Sequence, residues 1–427
     1  MSLPTSPNKI RSIIVSVAIL LLIGGVGYKL GERRTLDSAI LFLKPVINVT
    51  QPTNQKYVDF SLFWDVWGRI ERYYIDAPHI DTQKMIWGAI TGAVNSLEDP
   101  YTVFLPPKEN KEFKEDLGGA FEGIGAQLGL QDGRIIIIAP LKGTPAERAG
   151  LKPFDWILKV DGEETTNWTI TQAVTKIRGT KGTSVKLSIL HEKAEKPEEL
   201  TIVRDGILVP SVEYWIKPIN TIVEISGSTS SARLKTDTVA YLKLSRFGDR
   251  TNEEWLKAVA DIASNWKAKG VKGLVFDLRN NPGGYLDGSV FIASEFLKSG
   301  LVVTQTNSDG TKQEYQVDRK GQLFDIPLVI LINKGSASAS EIVAGALRDY
   351  SRGTIVGETS FGKGSVQTPQ ELTGGASVHI TTGKWLLPKG DWINKKGITP
   401  QIEVTMNGGT EATSDAQFAR AIEVLLQ

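Results

Sequence analysis

Hydrophobic and polar positions alternate along this chain in three ways. Residues 12–28 form one long run of Ile, Val, Leu, Ala and Gly without charge, preceded by Lys9 and Arg11 and followed by Lys29, Glu32, Arg33 and Arg34. A bilayer span takes about 20 apolar residues, so the run is at the short end. Basic residues ahead of it fit a signal anchor or signal peptide, and the lack of a small-x-small cleavage site favours an uncleaved anchor over residues 1–30. Charge on both flanks specifies orientation weakly. Residues 31–58, with Pro45 and Pro52, read as a tether.

Helical spacing predicts helices over residues 59–74, 82–97 (Met85, Ile86, Ile90 and Val94 on one side), 169–178, onward from 342–347, and 415–426. Trp64, Trp67 and Trp87 read as packing residues. Short β-branched runs predict strands at 134–139, 156–162, 184–191, 239–245, 271–278 and 326–332. Helices and strands interleave, giving a mixed α/β chain with ample length for more than one domain.

Composition mainly excludes. The 49 basic and 48 acidic residues leave a net charge of +1, which gives no basic surface for nucleic acid. There are no cysteines, so thiol catalysis, disulfides and cysteine-ligated metals are out. His79, His191 and His379 are too scattered for a local metal motif.

Chemistry concentrates in three phrases. Asn333-Lys334-Gly335-Ser336-Ala337-Ser338-Ala339-Ser340-Glu341 joins a buried strand to a helix, placing Ser338 at a helix N-terminus, where free N–H groups can hold an anion. Ser338 and Glu341 also have capping-box spacing, so serine as a mere cap stays open. Arg279-Asn280-Asn281-Pro282-Gly283-Gly284 follows the 271–278 strand, as an ordinary loop or as a turn aiming N–H groups into a cleft. In Phe361-Gly362-Lys363-Gly364-Ser365-Val366-Gln367, residues 363, 365 and 367 share a face if extended. A buried lysine can lose its charge and deprotonate a serine, with Gln367 orienting it. His379 as base of a Ser–His pair is a second enzyme reading, and an inactive PDZ scaffold a non-enzymatic one.

From Phe121 to about Arg204, the order of strands and helices resembles a PDZ domain (118–206). That resemblance implies a loop Gly123-Ile124-Gly125-Ala126 receiving a peptide's terminal carboxylate, and a strand from Gln127 pairing with the peptide. Arg178, after the groove helix, reads as a solvated arginine.

Together the phrases resemble the carboxyl-terminal processing peptidases, Ser–Lys endopeptidases with an inserted PDZ domain. The likeness runs from about Asp59 to the end and includes Leu97-Glu98-Asp99-Pro100-Tyr101-Thr102 and Lys396-Gly397-Ile398-Thr399-Pro400. It implies a crotonase-like core over 207–408, an N-terminal helical region over 59–117 and a C-terminal helix over 409–427. It also implies Ser338 as nucleophile, Lys363 as base and Gln367 as its orienter. The implied oxyanion donors are Ala339 and a glycine of the Gly283-Gly284 pair, Gly284 favoured. No metal or cofactor is implied. The expected partners are proteins with unstructured C-termini, a membrane through residues 12–30, and a second copy or an adaptor. The expected location is a bacterial-type cytoplasmic membrane, crossed once, with the catalytic part in the periplasm. Residues 217–237 depart from the family pattern and read as an extra hairpin or loop.

Overall fold

The computed structural model describes residues 59–192, 194–221, 237–405 and 415–427. The expected anchor at 12–30 and the tether at 31–58 lie outside the described residues. Among the described residues no helix is long and apolar enough to cross a membrane.

Two units are distinguished, meeting between Asp81 and Thr82. In the first, helix α1 (Ser61–Tyr73) buries none of its residues. The packing expected of its tryptophans is found within the helix itself. Trp64 is 52% exposed, and Phe63, Trp64 and Trp67 pack edge-on or tilted against one another at 5.1–6.0 Å.

The second unit begins with α2 (Thr82–Asn95), β1 (Val103–Leu105) and α3 (Pro107–Gly118), and then enters the PDZ-like module. The chain goes in on β2 (Ala120–Gly123) and out on β9 (Asp205–Leu208), which pair antiparallel as a two-stranded stalk. Between them lie β3 (Ala126–Gln131), β4 (Arg134–Pro140), α4 (Pro145–Arg148), β5 (Trp156–Val160), β6 (Glu163–Glu164), α5 (Ile170–Ile177), β7 (Ser184–Leu190) and β8 (Glu198–Val203). The strand order β3-β4-β5-β7-β8 leaves β3 on the edge. Ile135, Ile137, Ile157, Leu187 and Ile189 close the module's own core under Ala173 and Ile177 of α5. A capping box starts α5: the Gln172 N–H donates to Thr169 Oγ1 at 3.2 Å, and the Thr169 N–H to Gln172 Oε1 at 2.8 Å.

The core after the module carries β10 (Val212–Pro218), β11 (Thr238–Leu244), α6 (Thr251–Lys267), β12 (Leu274–Asp277), α7 (Leu286–Ala293), β13 (Leu301–Asn307), β14 (Lys312–Gln316), β15 (Leu328–Ile332), α8 (Ala339–Asp349), β16 (Thr354–Gly357), β17 (Ser365–Glu371), β18 (Ser377–Leu386), β19 (Ile402–Glu403) and α9 (Ala416–Leu425). One sheet runs β10-β11-β12-β15-β16-β19, parallel from β11 onward. Leu274 and Phe276 point to the cluster holding Trp255, Val290 and Ile342, while Val275 points to Phe418 and Ile422 of α9. Helices cover both faces, which is why the strands read as unbroken apolar runs. A second sheet, β1-β18-β13-β14 with β17 on β18, is antiparallel where paired.

The expected insertion begins as a continuation of a strand. Lys217 and Pro218 pair with Val239 and Thr238, and the Ile219 N–H donates to the Asp237 carbonyl at 2.8 Å. Residues 222–236 lie outside the described residues.

Candidate active site

β12 and β15 are neighbours, so the loops at their carboxyl ends emerge side by side, where open parallel sheets hold ligands. Side chains from each loop tie the two together. Asn333 Oδ1 accepts from the N–H groups of Asn280 (2.9 Å) and Gly335 (3.0 Å). Ser336 Oγ donates to the Leu278 carbonyl at 2.9 Å. The Asn281 carbonyl accepts from the Ala337 N–H and from Ser340 Oγ, both at 2.9 Å.

This lacing sets Ser338 at φ +56°, ψ −117°. An ordinary N-cap residue sits in the β region, and a positive φ costs a side-chain-bearing residue on the order of 1–3 kcal/mol. Ser338 and Glu341 nevertheless meet as the capping box that their spacing suggests. The Ser338 N–H donates to Glu341 Oε2 (2.8 Å), and the Glu341 N–H donates to the Ser338 carbonyl (2.8 Å). The Glu341 N–H thus also has a main-chain partner, which it keeps when the Ser338 hydroxyl turns away.

Gly283 explains the glycine turn. At φ +101°, a Cβ there would stand 2.8 Å from Ser338 Cβ and 2.8 Å from the Ala337 carbonyl. The Gly283 N–H donates to Asn281 Oδ1 at 2.9 Å. Gly284, at φ +139°, lies so close to the Phe247 carbonyl that no side chain fits. Among the described residues the N–H groups of Gly284 and Ala339 have no acceptor. That pair, rather than Gly283, is free to meet an anion.

Glu341 is the residue whose importance sequence reasoning missed. It is completely buried, and its carboxylate accepts four hydrogen bonds. Oε1 takes Ser360 Oγ (2.6 Å) and the Gly362 N–H (2.7 Å), and Oε2 takes the N–H groups of Ser338 (2.8 Å) and Lys363 (2.9 Å). One oxygen thus holds the main chains of residues 338 and 363 side by side. Serine-to-glutamate spacing signalled a cap; a bridge between segments more than twenty residues apart had no local signal.

Lys363 lies just before β17, half-buried, with its ammonium 5.3 Å from the centre of the Tyr101 ring. Burial pushes its pKa below the ordinary lysine value, against the opposing charges of Asp99 and Glu341. No hydrogen bond joins Lys363 Nζ to Ser338 Oγ here; such contacts often tighten only with substrate.

The expected shared face of residues 363, 365 and 367 is corrected. Lys363 precedes the strand, and the register shifts between Val366 and Gln367. Gln367 and Ser365 do meet, Gln367 Nε2 donating to Ser365 Oγ (2.9 Å) and to Thr381 Oγ1 (3.1 Å). The amide nitrogen is thereby occupied and the carbonyl oxygen left free; no bond to Lys363 is formed. His379 instead packs its ring edge-on against Phe113 at 4.6 Å, and burial pushes its pKa down.

In the PDZ-like module, the Ile124 carbonyl accepts from the Ala146 N–H (2.8 Å) and the Gly125 carbonyl from the Leu141 N–H (2.8 Å). Gly125 is at φ +77°, and a Cβ there would meet Thr144 at 2.5 Å. Gly123 ends β2 and Ala126 opens edge strand β3, so the four-residue loop leads directly into an unpaired strand edge. Arg178 is not simply solvated: its guanidinium lies 4.4 Å from the Phe121 ring centre and 3.9 Å from Glu115.

Comparison with known proteins matches residues 238–404 to peptidase family S41 and residues 113–190 to the PDZ domain. The carboxyl-terminal-processing protease of Synechocystis is 33% identical over 96% of this chain and 92% of its own length. The chain belongs to the carboxyl-terminal processing peptidase family. The carboxy-terminal processing protease CtpA of Bacillus subtilis is 37% identical over 76% of this chain, and the chain spans 65% of that protein's length. A Bacteroides fragilis protein assigned to the S41 proteases shares the fold, with TM-score 0.55 and 17% identity over 88% of this chain and 99% of its own. Along the chain the PDZ match precedes the peptidase match.

Proposed function

We propose that the chain is a serine endopeptidase that takes protein C-terminal tails into its PDZ groove and cuts them by a Ser338–Lys363 mechanism. The observation that carries this reading is the strained φ of Ser338, held beside Lys363 by Glu341, with the N–H groups of Gly284 and Ala339 nearby and without an acceptor among the described residues. Lys363 Nζ takes the proton of Ser338 Oγ as that oxygen bonds to the peptide carbonyl carbon. Gln367 orients the amine through its free carbonyl oxygen. The Gly284 and Ala339 N–H groups receive the oxyanion; one such donor is worth about 2.7–4 kcal/mol. The proton passes from Lys363 to the leaving amine as the C–N bond breaks. Water then resolves the acyl-serine. No metal or cofactor enters these steps.

The tail's carboxylate docks on Gly123, Ile124, Gly125 and Ala126, and its main chain adds to the free edge of β3. Residues 12–30 anchor the protein once in a bacterial-type cytoplasmic membrane with the catalytic part in the periplasm. Their apolar run and basic flanks support this.

The test is a protein with an unstructured C-terminal tail, offered with a free or an amidated terminus. Cleavage of the free form, at least about ten-fold slower cleavage of the amide, and none by Ser338→Ala are expected. Equal rates on both forms would remove the PDZ role, and activity in Ser338→Ala would remove the nucleophile.

A further inference from the structure

Asp99 lies in the turn after α2 and takes no part in the steps proposed above. Its Oδ1 accepts from the Tyr101 N–H (3.1 Å) and its Oδ2 from Thr102 Oγ1 (2.6 Å). An Asx turn accounts for those two bonds. It does not account for where they lead. The buried Thr102 hydroxyl accepts from the Thr381 N–H of β18 at 3.0 Å, and Thr381 Oγ1 accepts from Gln367 Nε2 at 3.1 Å. Hydrogen bonds therefore run from the turn to the glutamine on the strand that follows Lys363. Asp99 and Tyr101 also line a cavity of about 370 Å³ shared with Ser365, Thr381 and Lys384, and the Lys363 ammonium faces the Tyr101 ring.

Resting on the Ser–Lys reading, we propose that Asp99 is a positioning residue for peptide cleavage. Through Thr102 and Thr381 it holds Gln367 with its oxygen toward Lys363, and its charge keeps the lysine basic enough to take the serine proton. Burial alone would raise the Asp99 carboxyl, but hydrogen bonds from the Thr102 and Thr381 side chains and from the main chain of Tyr101 and Thr102 bring it below the usual range. The charged or titratable groups around the lysine are Asp99, Glu341 and Tyr101, with His379 on β18 and Lys384 at the cavity rim. The two carboxylates oppose the burial that drives Lys363 toward neutrality. A lysine without that opposition would be a weaker base for Ser338.

Losing the Asp99 charge destabilises the ammonium, so the rising limb of activity moves to lower pH. In the full chain, Asp99→Asn should raise the ratio of kcat/KM at pH 6 to that at pH 9 by about three-fold or more. Thr381→Val keeps the charge but cuts the link to Gln367. It should lower kcat about ten-fold, with KM and that ratio unchanged. An Asp99→Asn profile superimposable on the parent's, or lowered equally at every pH, overturns the proposal. So does unchanged kcat in Thr381→Val, which decides the matter if Asp99→Asn does not fold. A Lys363→Ala control separates the failures. If it is inactive while the Asp99→Asn limb has not moved, the Asp99 proposal alone falls; if it is active, the Ser–Lys reading falls with it.

Discussion

Ser338 and Gly283 face each other across a gap that admits no methyl group. A Cβ at position 283, where φ is +101°, would stand 2.8 Å from Ser338 Cβ. Gly283→Ala must move the serine or the turn, and a misplacement of about 1 Å can cost on the order of 10²-fold in rate. That variant should fold yet lose at least this much kcat, measured on a tail peptide; near-parental kcat would mean the turn does not set the nucleophile. The sequence exposed the residue types here but not their conformations. Ser338 to Glu341 spells a cap in any helix, and the φ of +56° that sets Ser338 apart from an ordinary N-cap residue accompanies bonds from its loop to Asn280, Asn281 and Leu278, some sixty residues away. The choice between Gly283 and Gly284 likewise depended on Asn281 Oδ1 occupying one of the two N–H groups.

At the scale of elements, α8 and the 360–364 loop are joined by Glu341. Four donors converge on its buried carboxylate. Glu341→Ala leaves them without a partner, each buried unsatisfied group costing about 1–3 kcal/mol before relaxation. The variant should unfold at lower denaturant concentration and lose cleavage together, as measured by chemical denaturation and peptide assay. Unchanged stability would show that water replaces the carboxylate. Periodicity found helices α1, α2, α5, α8 and α9 and strands β4, β5, β7, β11, β12 and β15, because strands buried on both faces and helices with one apolar side carry that signal in themselves. It passed over α3, α6, α7, β13 and β14. It missed β1, three residues ending just before Pro106-Pro107, because so short a strand is defined by its partner β18. It also missed the shift at Val366–Gln367, since a bulge is a property of pairing.

For the whole molecule, a PDZ-like module sits on a two-stranded stalk beside a core with adjacent strand-end loops, an arrangement that suits the proposed tail capture and cutting in one chain. That division was legible because each module has its own run of motifs in sequence order. The proposed cooperation of Asp99, Glu341 and Gln367 around one lysine was not, since these residues come from separate stretches that only the fold brings together. The central claim is that half-buried Lys363, its pKa pushed below the ordinary lysine value by burial, is the base for Ser338. Its most direct test compares kcat/KM of parent and Lys363→Ala on a free-tailed substrate across pH, with circular dichroism to confirm the fold. The parent's rate should climb as pH rises, reaching its plateau below the pH at which an ordinary lysine deprotonates. Folded Lys363→Ala should fall at least about 10³-fold at every pH, a loss in the range of general-base removal. A folded Lys363→Ala that keeps a tenth of the activity, or a parent profile flat through that range, would contradict it.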